Sequence, residues 1–277
     1  MTVLLSGLAA LAYGIADFTG GLASRRRQAI NVLLISYPVG GAVMLALGPF
    51  FGGHIDARVV LFGALGGVSG MIGVILMYSL IEIAPMNVIS PVTAVLAAMV
   101  PIVAGVVGGE KPALLTWLAI AVGLLAVVLV SRTSEDNPHG SVTGRVLLLA
   151  LVSGLGFGLY FVFLARSGDH SGIWPLVVSR LTSAVLILPL AARRGAFNRI
   201  GGATLGLVVV TGILDAVANL FFLLAARHGY LSIAGVITSM YPAATVVLAV
   251  TVLREHLNRW QGLGLALAAA SVAVIGR

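Results

Sequence analysis

Ten runs of about 20 mostly apolar residues follow one another along this 277-residue chain, separated by short polar breaks. An α-helix rises 1.5 Å per residue, so about 20 residues cross a hydrocarbon core ~30 Å thick. Hydrophobic residues make up 60% of the chain, above the roughly 45–50% that is typical of soluble domains. The sequence therefore predicts an all-α integral membrane protein with ten transmembrane helices. Their predicted limits are 3–23, 31–51, 59–81, 86–107, 114–131, 146–165, 174–192, 203–226, 231–253 and 260–276.

The composition excludes several kinds of site. The chain has no cysteine, which excludes disulfides, thiolate metal sites and cysteine nucleophiles. Its five histidines lie in or beside the polar breaks, so we predict neither a metal site within the membrane nor a cofactor. The net charge of +7 comes from short basic clusters between the apolar runs. Such clusters indicate contact with lipid headgroups rather than with nucleic acid.

The C-terminal quarter of the chain repeats an earlier stretch. When residues 81–132 are aligned with residues 226–277, nine of the 52 positions are identical. Among them, Glu110 and Arg132 fall on residues of their own type without a gap. Because only 9% of the residues are charged, two matched charges are stronger evidence than matched valines or alanines. The alignment indicates a duplicated membrane unit.

The longest polar break divides five predicted helices from five. We expect a first five-helix repeat over residues 1–133, a linker over 134–144 and a second five-helix repeat over 145–277. Because five is odd, the second repeat would enter the membrane from the opposite side. This predicts two inverted-topology repeats around a central cavity, an arrangement typical of secondary transporters.

Loop charges bear on the orientation in the membrane. The odd-numbered loops carry ten Lys or Arg residues, against five in the even-numbered loops and the tails. The positive-inside rule would then place both termini outside the cytoplasm. Three of the ten form the single cluster Arg25–Arg27, so the difference depends largely on one loop.

Asp215 lies about halfway along the eighth predicted helix. A charge at that depth costs roughly 2.5–3.5 kcal/mol on insertion scales, so the side chain should face protein or water rather than lipid. Thr211, Asp215 and Asn219 are spaced i, i+4, i+8 and therefore share one helical face. We interpret this face as the lining of a polar cavity. The alternative is a structural ion pair with Arg180 of the seventh helix.

Further candidates for substrate contacts lie on other predicted helices. Tyr13 and Asp17 share a face of the first helix, although Asp17 is near enough to the helix end to snorkel to the interface instead. Asn87 and Ser90 share a face of the fourth helix, where Pro91 leaves a backbone carbonyl without its donor. Aromatic and hydroxyl side chains complete the set, and they are Tyr78, Tyr160, Thr238 and Tyr241.

An enzyme is the alternative from another functional class. The segment Gly67-Val68-Ser69-Gly70 matches the GxSG motif of intramembrane serine proteases, which also need a histidine base on a neighbouring helix. No histidine lies well inside an apolar run. A nucleotide-binding GxxxxGK[ST] sequence is absent too, which excludes an ATP-driven pump of that type. We therefore predict no catalytic residues, and a transporter that runs on gradients.

Several segments together resemble the drug/metabolite transporter superfamily, in particular its EamA-type permeases with ten helices. They are the first-helix segment Tyr13–Gly21, the Tyr241-Pro242 pair, and the acidic residues Glu110 and Glu255 that end the fourth and ninth predicted helices. Within the superfamily, the chain looks most similar to bacterial amino-acid exporters of the YddG type.

The resemblance implies ten helices arranged as a basket around a central cavity lined by helices 1, 3, 4, 6, 8 and 9. It also implies cytoplasmic termini, contrary to the loop charges. The first repeat departs from the family pattern, because Ala97 occupies the position that corresponds to Pro242. The helix bend of the first repeat is therefore expected to differ.

Together, the residues and the resemblance predict a multi-pass secondary transporter of the bacterial inner membrane that works as a monomer. We expect it to export small metabolites, most of all neutral or aromatic amino acids, by alternating access. The alternatives are a multidrug or nucleotide-sugar carrier and, from the other class, an intramembrane serine hydrolase.

Overall fold

The structure is a computed structural model, which describes residues 1–24, 26–81, 86–130, 143–197, 200–252, 254 and 257–276. Within these ranges the regular structure is entirely helical, with a short 3₁₀ turn at Asp169–Ser171. The helices are α1 (Thr2–Ser24), α2 (Ala29–Phe51), α3 (Ala57–Ile81), α4 (Met86–Val107), α5 (Leu114–Val130), α6 (Gly144–Ala165), α7 (Trp174–Arg193), α8 (Gly202–His228), α9 (Leu231–Thr238), α10 (Tyr241–Val252) and α11 (Arg259–Ile275).

The helices have the length and surface of membrane spans. Seven spans are long and apolar enough to cross a bilayer, counting Leu231–Val252 as one, and three shorter apolar helices accompany them. Large apolar side chains face outward, for example Leu114 at 76% and Val185 at 63% exposure. An outer surface of this kind suits lipid rather than water. The multi-pass membrane protein is confirmed, whereas the count of ten spans stays a prediction.

The ninth predicted helix is not continuous. The sequence pattern predicted one helix over 231–253, but the structure divides it into α9 and α10 with a turn at Ser239 and Met240. Pro242 begins the break, since it has no N–H to donate to the carbonyl of Thr238 one turn earlier. The N–H of Met240 donates to the carbonyl of Ile237 (3.1 Å) in a tighter turn.

Helices of the N-terminal half pack mainly against helices of the C-terminal half. The main contacts of α1 are with α8 and α10, and those of α3 are with α6 and α7. Likewise α2 packs on α7 and α8, α4 on α6 and α9, and α5 on α11. The two halves are therefore interleaved, and each completes the core of the other.

Glycines permit the closest of these contacts. A Cβ added at Gly14 in α1 would lie 2.4 Å from the Cβ of Ala244 in α10. A Cβ added at Gly158 in α6 would lie 2.5 Å from the Cβ of Val100 in α4. Both distances are shorter than real Cβ contacts. The contact of α1 with α10 and that of α6 with α4 therefore both require a glycine. Close backbone approach of this kind drives helix association where lipid supplies no hydrophobic force.

The loops α2–α3, α4–α5, α6–α7 and α8–α9 lie at one end of the helices, which we call the closed end. Two charged side chains join the loops there. Glu110 accepts hydrogen bonds from the N–H groups of Leu231 (2.5 Å) and Ser232 (3.1 Å), so a residue of the first half caps α9. Arg227 donates to the hydroxyl of Ser171 (2.5 Å).

Backbone groups tighten the closed end further. The N–H of His54 donates to the carbonyl of His170 (3.2 Å), and Arg58 donates through Nε to the carbonyl of Arg166 (2.9 Å). Arg166 in turn donates through Nη2 to the carbonyl of Ala104 (3.3 Å). These bonds connect loops of the first half to loops of the second half.

Candidate functional site

A cavity of about 90 Å³ lies inside the bundle where α1, α2, α3, α6, α7 and α8 meet. Seven of the eleven predicted substrate-binding residues line it, and so does Arg180. These seven are Tyr13, Asp17, Tyr160, Thr211, Asp215, Asn219 and Tyr241. The lining also includes Ala16, Leu33, Ser36, Tyr37, Gly70, Met71, Val74, Met77, Ala97, Phe157, Phe161, Ser179 and Ser183.

Arg180 and Asp215 form an ion pair at this cavity. The Arg180 side chain is 7% exposed and the Asp215 side chain 30% exposed, so the carboxylate opens toward the cavity while the guanidinium is buried. Arg180 Nε is buried and has no hydrogen-bond partner among the residues that the structure describes. The guanidinium carbon lies 5.9 Å from the ring centroid of Tyr37. The two interpretations of Asp215 are thus compatible, because the ion pair is itself part of the lining.

Hydrogen bonds join α1 to α8 beside this pair. Tyr13 donates its hydroxyl proton to Asn219 Oδ1 (2.5 Å), and Asn219 donates through Nδ2 to the carbonyl of Asp215 (2.6 Å). The hydroxyls of Thr19 and Thr211 share a hydrogen bond of 2.8 Å. The predicted stripe on α8 therefore forms a seam with α1 whose polar groups are partly engaged.

Asp17 lies on α1 between the two hydrogen bonds of that seam. It is one turn from Tyr13 and shares its face, while Asp215 lies one turn from Asn219 on the antiparallel partner. The two carboxylates thus face the cavity at the same level. Asp17 lines the cavity, so it does not snorkel to the interface, and no described residue forms a salt bridge with it.

Aromatic rings separate the cavity from the closed end. The ring of Tyr13 lies 6.1 Å from that of Phe161 and 6.2 Å from that of Tyr241, and Tyr160 lies 5.9 Å from Phe161. Phe161 stacks on Phe222 at 4.2 Å. These contacts give the cavity an aromatic floor.

The opposite part of the lining is apolar. Leu33 of α2 lies near the first turn of that helix, and Met77 of α3 lies near the last turn of its own. Met71, Val74 and Phe157 continue this wall. The cavity therefore extends away from the closed end toward the other end of the bundle, with its charged groups on α1, α7 and α8 and most of its apolar groups on α2, α3 and α6.

Four of the predicted substrate-binding residues are not placed in the cavity. Thr238 is fully buried, at 0% exposure, at the end of α9 and is not among the lining residues. The side chains of Tyr78, Asn87 and Ser90 lie outside the described residues. The hydroxyl of Ser69, the serine of the GxSG motif, donates to the carbonyl of Gly66 (3.1 Å) within its own helix.

Sequence reasoning missed Tyr37, Ser179 and Ser183 as lining residues. Tyr37 and Ser179 carried a usable signal, because Tyr37 aligns with Arg180 when the offset between the repeats is 143 residues, and Ser179 precedes Arg180. Ser183 lies one turn after Ser179 and donates its hydroxyl proton to the carbonyls of Gly67 (2.9 Å) and Ser179 (3.0 Å). Its role in packing α7 on α3 has no sequence signature.

Comparisons with known proteins agree with this architecture. A solved crystal structure of a protein that is 18% identical superposes with a TM-score of 0.78, covering 99% of this chain and 96% of that one. At that identity the likeness shows the fold. No curated protein matches the sequence. The EamA-like transporter family matches residues 1–132 and 144–277. The chain thus belongs to the EamA-like transporter family and is a membrane transporter of the drug/metabolite type.

Proposed function

We propose that this protein exports small metabolites, most of all neutral or aromatic amino acids, across the bacterial inner membrane. One observation carries the proposal: charged and amide groups on α1, α7 and α8 face an apolar and aromatic wall across a single cavity. An amino acid has the matching division into a polar backbone and a side chain. Asp215, Asn219 and Thr211 contact its polar groups, while Tyr160 and Tyr241 contact its side chain.

Alternating access between two inverted five-helix repeats, residues 1–133 and 145–277, is the mechanism we propose. The helix contacts support it, because they are reciprocal. The contact of α1 with α8 has its counterpart in that of α6 with α3, and the contact of α1 with α10 in that of α6 with α4. The hydrogen-bonded closed end and the cavity that extends away from it fit one of the two access states. Tyr78, Asn87, Ser90 and Thr238 stay predicted substrate contacts, and we expect the protein to work as a monomer.

The alternative carriers fit the cavity less well. A nucleotide-sugar site needs basic groups for its phosphates, and Arg180, the single cation among the described lining residues, is already paired with Asp215. Pockets that hold drug-sized ligands have volumes of roughly 300–1,000 Å³, above the cavity of about 90 Å³. A small substrate is therefore favoured.

Transport by the purified protein in liposomes tests the proposal. We expect the wild type to move phenylalanine, and Asp215→Asn or Asn219→Ala to lower the rate about tenfold, which corresponds to one lost hydrogen bond to a charged group. Asp169→Asn is the matched control, because Asp169 is exposed in the α6–α7 loop. If correctly folded Asp215→Asn and Asn219→Ala proteins transport at the wild-type rate, the assignment of these residues is wrong.

A further inference from the structure

We infer that the Arg180–Asp215 ion pair is a two-pole recognition site for a zwitterion. Arg180 binds the substrate carboxylate, and Asp215, together with Asp17, binds the substrate ammonium. The inference rests on the proposed function and deepens it, because it gives Arg180 a direct role in choosing the substrate and requires both charges of an α-amino acid.

The carboxylate pole follows from the unused donors of Arg180. A guanidinium has five N–H donors, and Arg180 uses Nη2 for Asp215. Its Nε is buried with no hydrogen-bond partner in the described part of the chain, and the whole residue is 6% exposed. A buried donor without a partner is unfavourable, and a carboxylate is the ligand that a guanidinium binds best, through two parallel hydrogen bonds.

Residues of α2 hold the guanidinium in place. Tyr37 lies beside it with its ring centroid 5.9 Å from the guanidinium carbon. A Cβ added at Gly40 would lie 3.6 Å from Arg180 Nε, an ordinary contact distance, so the guanidinium lies against this part of α2. The hydroxyl of Tyr37 is also buried with no hydrogen-bond partner among the described residues, and Tyr37 lines the cavity at 5% exposure. This hydroxyl offers the carboxylate a second donor.

The ammonium pole follows from the two carboxylates. Asp17 and Asp215 face the cavity from adjacent helices, and the hydrogen bonds of Tyr13 with Asn219 and Thr19 with Thr211 fix the register of those helices. Arg180 is the one cation among the described lining residues, so it serves one of the two carboxylates. An ammonium group placed between Asp17 and Asp215 supplies the missing positive charge.

A substrate with both charges can enter without leaving either partner of the ion pair uncompensated. Its carboxylate binds Arg180 while its ammonium binds Asp215, so each buried charge keeps an opposite charge beside it. A substrate with a single charge would separate the ion pair and leave one of the two residues without an opposite charge, which is strongly unfavourable in a buried site. The ion pair therefore selects against amines and carboxylic acids as well as for amino acids.

Competition against labelled phenylalanine tests this on the full-length protein in liposomes. The competitors are unlabelled phenylalanine, phenylalaninamide, which lacks the carboxylate, and 3-phenylpropionate, which lacks the ammonium. We expect each analogue to compete about tenfold or more weakly than phenylalanine, because each forfeits a charge-assisted hydrogen bond. If phenylalaninamide competes as well as phenylalanine, the carboxylate pole is wrong although phenylalanine transport stands. If phenylalanine itself is not moved, the proposed function fails and the inference fails with it.

Two variants locate the carboxylate pole. Arg180→Lys keeps the charge but removes the planar fork, and we expect KM for phenylalanine to rise about tenfold while the weak competition by phenylalaninamide is unchanged. Tyr37→Phe keeps the ion pair and the ring. We expect a smaller rise in KM for phenylalanine, with the competition by phenylalaninamide again unchanged. Tyr37→Phe and the competition series on the wild type give a result even if the Arg180 variant does not fold. If a variant weakens the binding of phenylalanine and of phenylalaninamide equally, the inference is overturned.

Discussion

The two halves of the protein differ most where their matched positions meet the cavity. When the repeat alignment is extended to the earlier helices, where the offset falls from 145 to 143 residues, Asp215 of α8 corresponds to Gly70 of α3, and Arg180 of α7 corresponds to Tyr37 of α2. A Cβ added at Gly70 would lie 2.9 Å from the ring of Tyr160, and Tyr37 lies beside the guanidinium of Arg180. The second half thus supplies the ion pair, while the first half supplies the space for Tyr160 and the ring beside the guanidinium.

A second difference lies in the helices that follow. The helix α4 runs unbroken from Met86 to Val107, whereas its counterpart is divided into α9 and α10 before Pro242. Ala97 occupies the matching position in α4 and has a backbone N–H, so no donor is lost there. The continuous α4 and the divided α9–α10 segment therefore occupy matching places in the two halves. The following changes test how far the two halves differ.

The largest effect is expected where the halves differ in charge. Arg180→Leu should destabilise the protein by about 3 kcal/mol, the lower end of the cost of breaking a buried ion pair, because Asp215 is partly open to the cavity. The double variant Arg180→Leu with Asp215→Leu should recover most of that stability, since no charge is left alone. Thermal unfolding of the purified proteins measures both. A double variant less stable than Arg180→Leu would mean that the pair contributes more than mutual compensation.

The next effect should be the same in both halves. Gly14→Ala and Gly158→Ala each place a Cβ within 2.5 Å of a Cβ on the facing helix, so each should cost about 1–3 kcal/mol through overpacking. Gly21→Ala in α1 is the control, because nothing lies within 4 Å of an added Cβ there. Thermal unfolding compares the three. A cost confined to one of the two positions would show that the halves differ in packing as well as in charge.

A smaller effect is expected at the closed end. Glu110→Gln removes the negative charge that caps α9 but keeps one carbonyl oxygen for the N–H groups of Leu231 and Ser232. We expect a loss of about 1 kcal/mol in stability and a shift toward opening of this end. Accessibility of a cysteine introduced at Leu231 to a water-soluble thiol reagent measures the opening. Unchanged labelling relative to the same cysteine with Glu110 intact would argue against a role in closure.

The smallest effect on stability is expected at the helix break. Pro242→Ala restores the N–H that the carbonyl of Thr238 lacks and makes α10 resemble α4 at Ala97. We expect the change in stability to stay within about 1 kcal/mol, because the gained hydrogen bond is opposed by the lost rigidity of proline. If the break acts as a hinge, the transport rate should fall although the free energy of unfolding changes little. Phenylalanine flux in liposomes, set beside thermal unfolding, separates the two effects.

The polar face of α8 could be predicted because helical periodicity alone puts Thr211, Asp215 and Asn219 on one side. The break between α9 and α10 could not, because a run of apolar residues gives the same signal whether or not its backbone is continuous. Thr238 is separated from Tyr241, its predicted neighbour on one helix, by the turn at Ser239 and Met240, and it is not among the cavity-lining residues.

The sequence also left the state of Arg180 and Asp215 open between a cavity and a structural pair. Periodicity gives the face of one helix, but whether two charged residues on different helices meet depends on how those helices pack. That packing rests on contacts such as Gly40 against the carbonyl of Gly212 and Gly212 against the backbone of Ser36. Glycine leaves no sequence signature of which partner it approaches, so the pair became evident in the structure alone.

The interleaving of the halves has a consequence for biosynthesis. Ribosomes make α1 to α5 before α6 to α11 exist, and the main packing partners of the early helices are all in the later group. The first five helices are therefore made before the helices that cover Asp17 and the glycines at their contact surfaces. These partners are added in order as the second half is made: α6, α7 and α8 supply the main contacts of α1, α2 and α3, and α11 later supplies that of α5.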